Sequence, residues 1–318
     1  MDTRLLNAFV VLADTGHFGE ASKQLCISQP ALTKQIKTLE SQLDIVLFER
    51  GRHGAKLTQE GQYLLNQAQV VLRESHILEK QARQLVEPQK VSLYAGFGLS
   101  SLSFITSLLA RFNQIEPNIS VNIDDMSSHK MEEKLLMGEL DVAFSRLPVM
   151  PPLQGIALTQ EQLMLAIATQ HITVLEADYN PLHYFDSLGL ILLAPEKGKK
   201  LYQQIHAFLQ QHKLAPRLLQ QSQDIQTQLA LVAAGLGIAL VPKSAQLICD
   251  KQRVTLLPLS GLYTQWKIGV IWNSNIKNKE RDLFIKIITE KLILNKQLAF
   301  FISFNINILF QFLVSIKY

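Results

Sequence analysis

Within the stretch Phe18–Arg50, Gln29, Thr33, Lys34 and Lys37 bring together an amide, a hydroxyl and two ammonium groups. Such groups can address a polyanion that has readable edges. A glutamine amide offers both the donor and the acceptor that match an adenine edge, while lysines mostly position a protein on phosphates. Leu32, Ile36, Leu39 and Leu43 recur in the same segment at steps of three and four residues, which gathers them on the opposite side of a helix. A helix anchored by one apolar face and polar on the other is suited to a DNA major groove. The same spacing also describes an ordinary amphipathic surface helix, so the flanking elements decide.

Upstream, Leu5, Leu6, Phe9, Val10, Leu12 and Ala13 form a helical stripe that Gly16 ends. A second helix starts near Gly19 and carries the small residues Ala21 and Ser22, which allow a close helix crossing. After the turn Cys26-Ile27-Ser28, Ser28 is placed to cap the third helix, and Pro30 falls in its first turn, where a missing N–H costs nothing. This is the grammar of a helix-turn-helix. Val46–Arg50 and Ala55–Leu57 flank a glycine-bounded turn and read as a hairpin whose tip, from Arg50 through Arg52 to Gly54, is basic; beside a helix-turn-helix it makes a wing for the phosphate backbone or the minor groove.

Thr58 is positioned to cap a helix that continues to Val86 and is closed by Pro88. In it Leu64, Ala68, Val71, Ser75, Leu78, Ala82 and Leu85 alternate steps of four and three, a heptad seam on a helix roughly 40 Å long. The second chain of a homodimer is the natural partner; packing on the chain's own domain is the competing reading.

From Val91 short apolar runs alternate with helical patterns: Val91–Ala95, Val121–Ile123 and Val142–Phe144 in one series, then Leu163–Ala168, Leu190–Leu193 and Ile238–Val241 in a second, closed by Lys267–Trp272 and a helix Lys279–Ile293. The alternation predicts a parallel α/β sheet in two units, with a ligand crevice at the carboxyl ends of the strands. At 318 residues there is room for two or three domains. The net charge of +4 gives no argument for nucleic acid by itself, so that inference rests on local clustering. The two cysteines, Cys26 and Cys249, and the eight histidines fall at no ligand spacing, so no metal site is expected. No catalytic signature such as G-x-S-x-G, H-E-x-x-H or a Walker loop is present, Gly96-Phe97-Gly98 is too short for a dinucleotide fingerprint, and neither an enzyme nor a cofactor is expected.

The order of these parts resembles the LysR-type transcriptional regulators. The likeness spans about residues 3–294 and is carried by S-Q-P-A-L-T-K-Q-I-K-x-L-E from Ser28, by the wing L-F-E-R-G-R with L-T-Q-E-G after it, and by L-V-A-A-G-L-G-I-A-L-V-P ending at Pro242. In the second half, Gly96-Phe97-Gly98, Val142–Leu147 and Glu161-Gln162-Leu163-Met164 look most like the benzoate- and muconate-responsive members. The resemblance implies an α+β multidomain protein. A winged helix-turn-helix (1–58) and a linker and dimerisation helix (59–88) precede a two-lobed, periplasmic-binding-protein-like regulatory domain (89–295). Lobe I comprises about 89–162 and 268–295, and lobe II about 163–267. It further implies a cytoplasmic regulator that binds double-stranded promoter DNA as a homodimer or homotetramer, with RNA polymerase as a further candidate partner, and that is controlled by a small effector, commonly a carboxylate, bound between the lobes.

Carried over position by position, the DNA contacts are Ser28, Gln29, Pro30, Thr33, Lys34 and Lys37, with Arg50 and Arg52 on the wing. The effector contacts are Ser100, Ser128, Arg146, Lys200, Tyr202, Ile225 and Gln226, and the dimer seam is Leu64, Ala68, Val71, Leu78 and Leu85. Several positions depart from the family pattern. His17 and Ala21-Ser22 stand where Ser and Ala-Ala are usual, and Lys200 replaces an uncharged residue of the aromatic-acid subgroup, which puts muconate in doubt while favouring an anion. No cysteine lies between positions 195 and 215, which argues against a peroxide-sensing thiol. The segment 296–318 is an atypical tail: residues 297–316 carry no charge and abundant Phe and Ile. Packing on a subunit, a translational or sequence accident, and a membrane anchor are its three readings; a tethered regulator and a transporter's solute-binding protein are the rival functions.

Overall fold

The computed structural model describes residues 2–51, 54–86, 91–172 and 180–290. The chain falls into two compact units, the first made of residues 1–90 with the short segment 133–139 and the second of the rest; they are taken in turn below. The tail and Arg52 lie outside the described residues.

In the first unit, α1 (Thr3–Thr15) is capped by the Asp2 carboxylate, which accepts from the Arg4 N–H at 2.9 Å, and ends on Gly16 at φ 67°. That left-handed conformation is one a glycine adopts without steric cost. The second helix, α2 (Phe18–Gln24), buries Ala21 and Ser22 at the crossing, and the Ser22 hydroxyl donates back to the Gly19 carbonyl at 3.0 Å. In α3 (Gln29–Leu43) the Ser28 hydroxyl accepts from the Ala31 N–H. Leu32, Ile36 and Leu39 are fully buried against Leu5, Phe9 and Leu12 of α1, with Leu43 half-buried at the edge. A hairpin follows, β1 (Phe48–Gly51) antiparallel to β2 (Gly54–Leu57). Gly54 has φ 114°, and a Cβ there would lie 2.4 Å from the Gly16 carbonyl oxygen, so the hairpin can close onto the α1–α2 turn only with glycine at this position. Thr58 Oγ1 accepts from the Gly61 N–H at 2.9 Å at the start of α4 (Gln59–Val86), which has 28 residues.

The heptad seam divides along α4. Ala68 is buried and Leu64 half-buried in the same core as α1, joined by Leu72. Val71, Leu78 and Leu85 are exposed, and so are Tyr63 and Val70, which sit on the side of the helix away from that core. The core-facing row runs through Leu64, Ala68 and Leu72, so Val71 lies to its side, and Leu78 and Leu85, farther along the helix, are exposed.

Beyond residue 90 the chain forms β3 (Val91–Phe97), α5 (Leu102–Ile115), β4 (Ile119–Asp125), α6 (Ser128–Leu136), β5 (Val142–Leu147) and β6 (Leu153–Ala168). It continues with α7 (Tyr184–Ser187), β7 (Leu190–Leu193), α8 (Lys199–Gln211), β8 (Leu218–Ser222), α9 (Ile225–Ala233), β9 (Ile238–Pro242), β10 (Val254–Pro258) and β11 (Gln265–Asn273). A helix over 279–290, α10, closes the described chain. The strand order is β4-β3-β5-β11-β6-β9-β7-β8, with β10 also on β6. Strands β4, β3 and β5 are parallel, as are β9, β7 and β8, but β6, β10 and β11 run antiparallel to their neighbours, so the sheet is mixed where the sequence pattern predicts a parallel one.

The difference arises at β6. Only Leu163–Ala168 shows a buried apolar pattern; residues 154–157 are exposed, and β-pairing with the distant β11 alone makes them a strand. Strand β3 extends two residues beyond the apolar run Val91–Ala95, through Gly96 and Phe97. A Cβ on Gly96 would lie 2.9 Å from Leu140 and 3.0 Å from Met131, so glycine here serves close packing. Lobe I packs around Leu93, Ile105, Phe112, Phe144 and Phe284, with Phe112 and Phe284 edge to face at 4.8 Å. Lobe II packs on both faces of its sheet, with Leu190, Leu192 and Phe208 on one side and Ile191, Leu229 and Val232 on the other.

Ile36→Ala should lower the unfolding free energy of the first unit by about 2–5 kcal/mol, because a fully buried side chain is replaced by a cavity. Chemical denaturation followed through the melting of the helical signal measures this; a change below about 1 kcal/mol would show that α3 is not anchored by this face.

Candidate functional site

The recognition face of α3 is open. Ser28, Gln29, Pro30, Lys34 and Lys37 are exposed and Thr33 is half-buried. Gln29, Pro30, Thr33, Lys34 and Lys37 line one continuous surface groove, which extends along the helix over Thr38, Ser41 and Gln42. A second concavity joins Gln29 and Thr33 to His17, Glu20 and the hairpin glycines Gly51 and Gly54. Arg50 belongs to β1, opposite Ala55 of β2. The first unit therefore brings one helix face and one hairpin to a single side, and among the described residues Lys34 and Lys37 form no ion pair with a carboxylate.

In the second unit a cavity of about 480 Å³ opens between the lobes, within the range of small-ligand sites. Its walls are the carboxyl ends of the parallel strands: Gly98–Ser100 after β3, Asp125–Ser128 after β4 and Phe144–Arg146 at β5 in lobe I, with Lys197–Leu201 after β7, Gln223–Gln226 after β8 and Pro242 at β9 in lobe II. Ser100, Ser128, Arg146, Lys200, Ile225 and Gln226 all line it. Tyr202 does not; it packs on the lobe II core and stacks on His206 at 4.1 Å between ring centres, one residue position too far round α8 to face the cleft.

Two cations of the cleft, Arg146 and Lys200, are already engaged. Arg146 lies over the Trp266 ring at 4.0 Å, and its Nη1 donates to the Lys200 carbonyl at 3.3 Å and to the Gln204 side-chain oxygen. Burial pulls its guanidinium down to about 10, with the buried Glu161 carboxylate opposing the shift; it remains cationic at neutral pH. Lys200 of lobe II pairs with Glu132 on α6 of lobe I. Ser244 and Ser100 approach to 3.5 Å across the same gap. Burial also raises the Asp125 carboxyl above its ordinary value. Asp224 is held below the usual carboxylate range by the Thr227 N–H and hydroxyl, the cap of α9.

Ser145, Trp266, Gln204, Glu132 and Glu161 thus belong to the site without having been singled out as ligands. Ser145 and Glu161 lie inside motifs quoted for the family likeness. Gln204 is 58 residues from Arg146 and Glu132 is 68 from Lys200, so no spacing could have linked them.

A winged helix-turn-helix with an open polar recognition face, joined to a two-lobed α/β half with a ligand-sized cleft, defines a DNA-binding regulator with an effector-binding domain. The chain belongs to the LysR family: residues 3–62 match the bacterial regulatory helix-turn-helix protein model of the lysR family, and residues 89–292 match the LysR substrate binding domain. Among curated relatives, the transcriptional regulator BenM of Acinetobacter baylyi is 30% identical over 259 residues, covering 78% of this chain and 82% of its own. AlsR of Bacillus subtilis is 28% identical over 259 residues, covering 77% and 82%. The crystal structure of full-length BenM superposes with a TM-score of 0.52 at 26% identity, over 93% of this chain and 98% of that one. These relatives are transcriptional regulators, and the solute-binding-protein alternative finds no support among them. Among the described residues no helix is long and apolar enough to cross a membrane.

Gln204→Leu should destabilise the second unit by about 1–3 kcal/mol, because it leaves the half-buried Arg146 guanidinium short of an acceptor. Thermal unfolding checks this, and an unchanged midpoint would mean that Arg146 is satisfied without Gln204.

Proposed function

We propose that the chain is a cytoplasmic, non-enzymatic regulator that binds promoter DNA as a homodimer or homotetramer and is controlled by a small carboxylate held between the lobes. The observation that carries the reading is the cleft itself: a cavity of about 480 Å³ at the carboxyl ends of both parallel strand sets, with Arg146, Lys197, Lys199 and Lys200 on its walls. In this reading Ser28, Gln29, Pro30, Thr33, Lys34 and Lys37 enter the major groove, while Arg50 and Arg52 follow the backbone beside it. The exposed stripe Tyr63, Val70, Val71, Leu78 and Leu85 supports pairing of two α4 helices, with Leu64 and Ala68 buttressing the pair from within the domain. The functional divisions follow as 1–58, 59–88 and 89–295, with RNA polymerase contacted at the promoter. Effector contacts are assigned to Ser100, Ser128, Arg146, Lys200, Ile225 and Gln226; Tyr202, on another side of α8, packs on the lobe II core.

Binding to DNA from the protein's own upstream intergenic region should weaken steeply with salt, and Lys34→Ala should lower the slope of log affinity against log salt by about 1. Gln29→Ala should cost about 1–3 kcal/mol on the preferred sequence and relax discrimination at one base pair. Fluorescence anisotropy across a salt series measures both; a Lys34→Ala protein indistinguishable from wild type would overturn the assignment of α3.

The cleft makes a separate prediction. Asp125 has a raised pKa, so its negative charge is lost at a higher pH than an ordinary aspartate's, and anion binding should strengthen as pH falls through that range. Asp125→Asn should tighten carboxylate binding about threefold near neutral pH and flatten the dependence, within what a partly screened charge can contribute. A thermal-shift titration with small carboxylates at several pH values provides the measurement, and hits among neutral or cationic compounds alone would defeat the carboxylate reading.

A further inference from the structure

The cleft contains one polar group whose position the protein's own packing does not explain. Ser145 lies on β5 between Phe144 and Arg146, opposite Gly269 of β11, and is 1% exposed. It lines the cavity, and its Oγ is buried with no hydrogen-bond partner. Other hydroxyls of this region are either engaged or open to solvent: Ser101 exchanges hydrogen bonds with Gly98, Ser127 accepts from the Lys130 N–H, Ser244 reaches Ser100, and Ser128 is only half-buried. The remaining buried and unpartnered side-chain atoms among the described residues, on His171, His212 and Gln228, do not line the cavity.

A buried hydroxyl without a partner costs stability, and alanine in its place would not. An oxygen acceptor from outside the chain would complete the bond and remove that cost. We propose that Ser145 is the specificity-determining contact of the cleft, its hydroxyl donating to an oxygen acceptor of the bound effector.

The cations beside it have less capacity to spare. Arg146 is committed to Gln204 and to the face of Trp266, and Lys200 to Glu132. These set the charge class of the ligand, whereas the Ser145 hydroxyl is the donor still unspent at the end of β5. An effector oxygen seated there has the apolar surfaces of Phe144 and Trp266 for the rest of the molecule. A ligand of equal size and shape with no acceptor at that point would leave the hydroxyl unpaired, and this asymmetry makes a single hydroxyl selective.

The inference rests on the reading of the cleft as a carboxylate site, and one experiment separates the two. Wild-type protein and Ser145→Ala, both as the full chain, are compared by thermal unfolding without ligand and by calorimetric titration with acetate, succinate and benzoate. Ser145→Ala is expected to melt at the wild-type temperature or slightly above it, and to bind about tenfold more weakly the carboxylate that wild type binds. A variant that melts clearly lower shows that the hydroxyl has a structural partner and overturns the proposal. So does a variant that binds within twofold of wild type. If wild type binds none of the three probes, the carboxylate reading fails first and the role of Ser145 falls with it.

Discussion

Strand β6 runs unbroken for 16 residues and serves both lobes, Leu153–Gln162 pairing with β11 and Leu163–Ala168 with β9 and β10. The geometry of the second unit depends on that continuity. One strand cannot bend sharply between its halves without losing backbone hydrogen bonds that it has no other way to satisfy. The two parallel strand sets are therefore held on one frame, with their carboxyl ends facing a common gap. The return strand β11 lies beside it and presents Trp266 and Ile268 at the base of the cleft. A ligand site follows from the topology before any particular side chain is considered.

The side chains then make the gap responsive. Its two lobes are linked by polar contacts: Lys200 with Glu132, Arg146 with Gln204, and Ser244 with Ser100. A half-buried ion pair contributes little net stability, since desolvation offsets most of the Coulomb gain. Such contacts are exchangeable for those of a ligand carrying similar groups. An apolar seam of the same area would hold the lobes together more firmly and leave nothing for an effector to replace.

In the first unit the limiting requirement is close approach. Gly54 sets its backbone against the Gly16 carbonyl, and Ala21 and Ser22 are buried where α2 crosses its neighbours. The small core under α3 consists largely of leucines with Ile36 and Phe9, and it fixes the helix rigidly enough that Gln29, Thr33 and Lys34 project in a set relation to the hairpin. The departures at positions 17 and 22 are accommodated: the buried Ser22 hydroxyl is satisfied by the Gly19 carbonyl, and His17 opens α2 without a side-chain cap.

The sequence by itself determined what depends on local spacing. The apolar period of α3, the Ser28 cap with Pro30, the Gly16 stop and the glycine-bounded hairpin all report on bonds within a few residues, and they identified the helix-turn-helix and the hairpin beside it. The alternation after Val91 identified an α/β half with a crevice, and six of the seven expected cleft residues line it. Tertiary structure decided what depends on distant partners: the antiparallel β6 and β11, the inward turn of Ala68 at the start of the α4 seam, the packing of Tyr202 on the lobe II core, and the pairing of Lys200 with Glu132. Whether a hydroxyl such as that of Ser145 is satisfied is a property of everything packed around it. No period or motif encodes that, because the atoms that could have bonded it come from other parts of the chain.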